Sequence, residues 1–480
     1  MQKSNGGLSD KSAGGLTRRD FTTAALAVPA AMALVGSTYK AALSQNSLPV
    51  RKEVSSLDEA ELQVFKDAVR IMKARPASDP TSWAANAAFH KAFCSAINLE
   101  SQIHFSWTFL PWHRVYLNLT ERKLRAAVNE PSLALPYWDW EGATPRMPDA
   151  YLGNESNPMW DPTRWRGAGD ESLPKDLANQ SQILRARTFD LFHGGPLIDI
   201  RAPATPSPLE SPHNIVHYWV GGNMGSFATA SLDPIFFATH GNIDRQWAIW
   251  ARLPSSAGNP VDPRWLERKW ILTDEKGLPI EMAIKDVVDT EAIGYRYDNV
   301  APPADVASFV SGTGPEAAGA ISIEAPRDSK PNVLIDKPVI KPLTGRAQAP
   351  IIKALAAENP KIVVLNVEGI VVPEELVVSY RFFLNRPDAD AFTVPDPAKG
   401  YLGNISLVPL AGDAMQPRLN VRTVLPEGVL NDMAAQDENS VTIVPVGITI
   451  EPLGFKAPLA PPVRSDYRKL SLSVGEPGLA

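Results

Sequence analysis

Six of the seven histidines in the 480-residue chain fall into two clusters, His90, His104 and His113, then His213, His217 and His240. Neutral imidazole is the commonest side-chain ligand for transition metals, so two clusters of three raise a metal centre as the first chemistry to consider. In "SPHNIVHYWVGG", His213 and His217 stand four residues apart. On a helix they differ by about 40° around the axis, face the same way and can share one ion. Taken alone that pair is a weak signal, since histidines at this spacing are more often ordinary partly buried residues; the clustering strengthens it. His104 and His113 are nine residues apart and would lie on opposite faces of one continuous helix. Proline is favoured in the first turn of a helix, so Pro111 in "PWHR" can open a new one with His113 facing inward and His104 approaching from the preceding segment. His90 and His240 then complete three imidazoles at each of two ions. All-imidazole sites suit copper, zinc, iron or nickel, and three nitrogens with open positions leave room for dioxygen or a substrate. Spacing alone does not choose the metal.

The elements that must position these residues are legible in the periodicity. "SSLDEAELQVFKDAVRIMKAR" opens with a capping box at Ser56 and Glu59 and repeats apolar residues at Leu62, Phe65, Val69 and Met72, which predicts an amphipathic helix. "HRVYLNLTERKLRAAVNEP", "PHNIVHYW" and "HGNIDRQWAIWARLP" read as further helices, so a helical bundle is expected over roughly residues 50 to 255. Eight prolines between residues 301 and 350 mark a linker. Beyond it, "KIVVLNVEGIVV", "ELVVSYRFFL", "YLGNISLVPL", "LNVRTVL" and "SVTIVPVGITIEPLGF" are short β-branched runs separated by Gly, Pro, Asp and Asn, the pattern of a β-sandwich. The expected fold class is a mainly α core, a four-helix bundle holding the metal centre, followed by a C-terminal β-sandwich. The expected segments are 1–45, 46–300, a linker over 301–349 and a β domain over 350–480.

Composition bounds the partners and the compartment. A net charge of −6 with mixed signs offers no basic stripe for phosphates, so nucleic acid is an unexpected partner. No run of 18 or more apolar residues predicts stable membrane association. Arg18 and Arg19 precede a short apolar segment from Ala24 to about Val35, which matches a twin-arginine signal and predicts export to a periplasmic or extracellular location. Cys94 is the single cysteine, so an intramolecular disulfide is excluded.

Three longer stretches, "HFSWTFLPWHRVYLNLTER", "PHNIVHYWVGGNMGSF" and "DPIFFATHGNIDRQWAIW", resemble the two copper-binding regions of the tyrosinase and polyphenol oxidase family, and the chain is identified as similar to its bacterial members. These are type-3 dicopper enzymes that include catechol oxidases. "DPRWLERKWILTDEKGLPIEMAIKDVVDTEAIGYRYD" resembles the extension that follows the copper core in plant polyphenol oxidases, here about 260–300, and the strand-rich tail resembles their C-terminal domain more loosely.

The resemblance implies two copper ions, with His90, His104 and His113 on the first and His213, His217 and His240 on the second, dioxygen as co-substrate, and oxidation of a small phenol or o-diphenol to an o-quinone. It also implies a thioether from Cys94 to His104, and an aromatic gate over the second copper at Phe227. Glu210 and Asn214 resemble the pair that holds a water near the substrate phenol, although the family's glutamate sits one residue further from the histidine. Such a carboxylate-polarised water would serve as base. Asp244, one turn after His240, reads as a structural ion-pair partner. Thr239 departs from the histidine common in plant members, which bears on substrate preference. His193 in "LFHGGP" matches no ligand position and is expected in a surface or loop role. The family's C-terminal domain often covers the copper site until it is removed, and the linker is a candidate cleavage region. Alternative readings are an o-aminophenol oxidase on the same site, a non-catalytic oxygen-binding protein, and a zinc or iron protein on the same bundle. The phenol preferred, the balance between monophenol and diphenol activity, and the oligomeric state are left open by the sequence.

Overall fold

The computed structural model describes residues 48–475 apart from 95–101, 143–144, 166–171, 198–201, 257, 305, 307–320, 325–331, 335–336, 358–361, 373–377, 408–416 and 448–464. The twin-arginine segment lies outside the described residues. Helix α1 (Glu59–Ala74) buries Phe65, Ala68, Val69 and Met72, the stripe its periodicity predicts. Its capping box is formed by Asp58 and Glu61 rather than Ser56 and Glu59: the Glu61 amide donates to Asp58 Oδ1 at 2.8 Å and the Asp58 amide to Glu61 Oε2 at 3.1 Å. Ser56 belongs instead to a preceding 3-10 turn, Val54–Ser56, where its hydroxyl donates to the Glu53 carbonyl. An aspartate two residues on gives the first turn the same reciprocal satisfaction of its free amides.

Four helices carry five of the six clustered histidines, His104 lying just before the second of them. They are α2 (Trp83–Cys94), α3 (Phe109–Val128), α5 (Glu210–Val220) and α6 (Ile235–Trp250), with a short α4 (Phe189–His193) between. Pro111 occupies the first turn of α3, as its missing N–H allows. Helix α6 is buried along its whole length, which explains why it shows little amphipathic periodicity. Asp244 on α6 anchors the bundle. Its carboxylate meets Arg114 Nε of α3 at 2.5 Å, Arg51 at 3.3 Å and the hydroxyls of Tyr295 and Tyr297 at 2.6 Å each. Burial would push that carboxyl up, but Arg114 and Arg51 hold it below the usual range. Arg51 lies on β1 (Val50–Arg51), which pairs in parallel with β4 (Arg296–Tyr297), and the hairpin β2 (Lys269–Thr273) with β3 (Pro279–Ala283) precedes β4. One buried ionic knot thus ties both ends of the helical region to α3 and α6.

The C-terminal part forms two four-stranded antiparallel sheets. One runs in the order β10-β9-β12-β7 and the other β11-β8-β14-β5. The runs foreseen as strands are β8 (Ile362–Val371), β9 (Val378–Leu384), β10 (Tyr401–Leu407), β11 (Arg418–Val424) and β12 (Asn439–Gly447). The linker over 301–349 is a correction: β5 (Ile321–Glu324), β6 (Asn332–Leu334) and β7 (Val339–Thr344) all fall inside it. β5 and β7 are edge strands of the two sheets, and an edge strand tolerates Pro342 because it needs hydrogen bonds on one side only. β14 (Lys469–Gly475) lies between β8 and β5 in the second sheet, and β13 (Ser465–Tyr467) pairs with β6 in a separate two-stranded sheet. A single apolar cluster is continuous from the helices into both sheets.

Candidate metal centre

All six clustered histidines are buried at 3 % exposure or less. His90 comes from α2, His104 from the segment before α3, His113 from α3, His213 and His217 from α5 and His240 from α6. His90, His104 and His113 form one compact donor group that also includes Cys94, and His213, His217 and His240 form the other. The groups face each other, with His113 and His240 stacked at 4.1 Å between ring centroids. Backbone carbonyls orient three of the rings. Nδ1 lies 2.9 Å from Phe227 O in His90, 2.8 Å from Phe109 O in His113 and 2.8 Å from Met224 O in His217, while Nδ1 of His213 is 3.0 Å from Asn214 Oδ1. An Nδ1–H donated outward leaves Nε2 as a lone-pair donor pointing inward.

Those inward nitrogens lack protein partners of the usual kind. His90 Nε2, His113 Nε2 and both nitrogens of His104 are buried and unpaired, and His240 Nε2 lies 3.1 Å from Nε2 of both His213 and His217. Three lone-pair nitrogens this close repel unless a cation sits among them. Burial drives all six rings toward the neutral form, with His113 lowered to about 3 and His217 to about 4. Neutral, desolvated and convergent imidazoles fit a pair of imidazole-preferring metal ions.

The chain between α5 and α6 closes the pocket. Gly221 (φ 70°) and Gly222 (φ 57°) turn it sharply against Trp165 and Thr163, where a Cβ would collide. That turn delivers the Met224 carbonyl to His217 and Phe227 to the pocket. Phe227 stacks on His104, 4.4 Å between centroids, and stands 6.5 Å from His217. The expected position over the second group is therefore corrected: the ring lies against a histidine of the first group. Asn214, His217, Tyr218, Met224, Gly225 and Phe227 line a cavity of about 10 Å³, room for one water.

Glu210 and Asn214 are not brought together around that cavity. Glu210 lies behind His104: its two carboxylate oxygens accept the Phe105 amide at 2.9 and 3.0 Å, and Oε2 stands 3.4 Å from His104 Nδ1. Burial pushes this carboxyl up to about 8 against the Phe105, Ser207 and Ser106 amides. Phe105 has φ 63°, an uncommon conformation for a non-glycine residue, and Glu210 holds it there. Asn214 lines the cavity and donates to Ser406 O of β10 at 3.4 Å. Ser406 in turn donates its amide to Ser211 Oγ at 3.0 Å. Thr239 is fully buried beside His240 on α6.

His193 is a second correction. It is fully buried, stacked on Phe189 at 4.4 Å and ringed by Trp247, Trp250 and Trp265 at 5.0 to 5.6 Å. The "LFHGGP" segment carries it inward because α4 packs on the aromatic end of α6. Sequence reasoning also missed Asn86, Lys123 and Arg114, since a lone buried polar residue leaves no spacing signal.

This arrangement, two opposed triads of buried neutral imidazoles in a helical bundle, defines the type-3 dinuclear copper class. Comparison with known proteins agrees. The common central domain of tyrosinase matches residues 80–196 and 161–253, and the polyphenol oxidase middle domain matches 259–305. A chloroplastic polyphenol oxidase of Vitis vinifera is 30% identical over 451 residues, covering 84% of this chain and 73% of that protein. One from Malus domestica is 27% identical over 463 residues, 83% of this chain and 75% of its own. The solved latent apple tyrosinase shares the fold, with a TM-score of 0.68 at 23% identity over 90% of this chain and 98% of that one. The chain belongs to the tyrosinase and polyphenol oxidase family and is a type-3 copper oxidoreductase that oxidises phenols with dioxygen. These relatives are plant enzymes, which corrects the bacterial likeness. Because they are named chloroplastic, the expected twin-arginine export to a periplasmic or extracellular location is overturned.

Proposed function

We propose that His90, His104 and His113 hold one copper ion and His213, His217 and His240 the other, and that the chain acts on small phenols and o-diphenols as a plastid polyphenol oxidase in a closed, latent form. The observation that carries this reading is the convergence of unpaired, neutral ring nitrogens in two facing triads. When bound, the copper pair supplies two-electron oxidation of a phenolic substrate by dioxygen. The chain's own residues do the rest. The Phe109, Phe227 and Met224 carbonyls fix the imidazole tautomers, Phe227 and Met224 line the cavity beside His217, and Asn214 Oδ1 orients the His213 ring. A thioether from Cys94 to His104 is part of the same proposal, supported by the burial of Cys94 within the first donor group; it would form with loss of the thiol hydrogen and one ring C–H hydrogen, the two electrons being taken up by dioxygen, the co-substrate.

Closure is supported by the size of the cavity, which admits one water and no aromatic ring. The β domain holds it shut. Beyond the Ser406 contacts, the Ala204 amide donates to Arg418 O at 2.8 Å, the Asn420 amide to Ala204 O at 2.6 Å, and Arg381 pairs with Asp176 at 2.8 Å. Oxygen uptake by copper-loaded protein tests the reading, with a monophenol and its matching catechol, before and after limited cleavage between residues 307 and 320. Uptake on the catechol that rises at least tenfold after cleavage supports both oxidase and latency. No uptake on either substrate in the trimmed protein defeats the oxidase reading, and equal uptake before and after defeats closure. Since Glu210 lies behind His104, the Glu210→Gln variant is expected to keep the ratio of monophenol to catechol rates.

A further inference from the structure

His90 is the one first-triad histidine on α2, a helix whose first turn is capped by Ser82, its Oγ accepting the Ala85 amide at 3.1 Å. One turn before His90, on the same face, stands Asn86, 1 % exposed. Four hydrogen bonds between α2 and α3 converge on it. Its Nδ2 donates to Tyr116 Oη at 3.2 Å and to Thr120 Oγ1 at 3.0 Å, its Oδ1 accepts from Lys123 Nζ at 2.9 Å, and its backbone carbonyl accepts from the Tyr116 hydroxyl at 3.0 Å. Tyr116, Thr120 and Lys123 follow His113 along one face of α3, at steps of three, four and three residues. The same two helices that carry His90 and His113 are therefore locked in register by a polar lattice centred one turn away.

Lys123 shows how much that lattice is asked to hold. Lys123 is 1 % exposed, its Nζ donates to the Asn86 side chain, and the Phe89 ring lies 5.6 Å away. Burial pushes this amine down to about 7, with Asp274 and Glu275 only partly offsetting it, and a buried amine is costly to hold unless it is hydrogen-bonded. Leu or Met at these positions would pack the same space without fixing α2 along its own axis, because apolar contact is not directional.

We propose that Asn86 is a positioning residue for the first copper: through Tyr116, Thr120 and Lys123 it sets the register of α2 on α3 and hence the place of His90 Nε2 relative to His113 Nε2. It touches neither metal nor substrate. The inference rests on the six-histidine reading above, and the second triad, built on α5 and α6, does not depend on this lattice.

The test is copper retention by the full chain after dialysis against a graded competing chelator, read by metal analysis and by electron paramagnetic resonance, in which a lone copper(II) is visible and a coupled pair is silent. Three forms are compared: wild type, Asn86→Leu, and the double variant N86L/K123M. The double variant removes both buried polar partners, so its thermal unfolding in the metal-free state is expected to recover toward wild type. Wild type is expected to retain two coppers. Both variants are expected to release one copper at roughly tenfold lower chelator than wild type and to show the signal of a lone ion. Adding His213→Ala to the variant should then remove the remaining copper, while adding His113→Ala should not. Tyr116→Phe, which deletes a single hydroxyl, gives a milder reading of the same kind should the double variant fail to fold.

If N86L/K123M recovers its unfolding temperature and also holds both coppers like wild type, Asn86 is a stability device and the inference is overturned. Equal weakening of both coppers overturns it as well. A wild-type chain that binds fewer than two coppers overturns the six-histidine reading itself, a separate result.

Discussion

The two triads of the metal centre are built on different foundations. His213, His217 and His240 stand on α5 and α6, two continuous helices, with their Nε2 atoms gathered at 3.1 Å. His90, His104 and His113 draw on two helices and on an irregular segment whose Phe105 adopts φ 63°. A ligand on a helix inherits its precision from the hydrogen-bond ladder beneath it. A ligand on irregular chain must borrow precision from side chains, here Glu210 under the Phe105 amide. The first triad should therefore be the one that substitutions outside the ligand set can disturb selectively.

The largest expected effect erases that difference. Asp244 joins α3, which carries His113, to α6, which carries His240, and its loss leaves Arg114 and Arg51 buried without their carboxylate. Asp244→Ala should cost about 3–5 kcal/mol in urea unfolding and weaken both coppers together. Glu210→Ala sharpens the contrast instead. It strands the Phe105 amide and releases His104, at a cost of about 1–3 kcal/mol, and metal analysis should show the first copper lost before the second. Selective loss of the second copper would reverse the comparison.

A third prediction concerns the second triad's side. His193 packs under α6, and burial, with Arg114 adding to it, holds the imidazole well below its ordinary value. Below about pH 6.5 the unfolded chain takes up a proton that the folded one refuses, so stability falls as pH falls. His193→Phe removes that penalty. Between pH 7 and pH 5 the variant should lose about 2 kcal/mol less than wild type in urea unfolding. An unchanged slope would mean the ring is not neutral in its aromatic box. The smallest effect belongs to the domain contact: Arg381→Ala breaks a pair with Asp176 that keeps some solvent contact at both partners and should cost about 1 kcal/mol. Its sign is the informative part, because basal oxygen uptake by the uncleaved chain should rise.

Much of this protein was legible one residue at a time. The histidine clusters, the Pro111 break, the helical stripes and five of the strands follow from local periodicity and turn chemistry, which depend on neighbours within a few residues. The strands hidden in the proline-rich stretch escaped, because an edge strand needs only short alternating runs and tolerates the proline that reads as a breaker. The capping box slipped by two residues for a similar reason, since serine and aspartate both satisfy the pattern and packing chooses between them.

The sequence by itself determined the ligand chemistry, six imidazoles in two sets, together with the order of a helical core and a strand-rich tail. Tertiary structure decided what those residues face. It put Phe227 on His104, Glu210 behind the first triad rather than beside Asn214, His193 in a box of tryptophans, and Ser406 over the cavity. Each of those contacts joins residues far apart in the chain. Their side-chain directions are set by how whole elements pack, and packing leaves no periodic trace in the sequence.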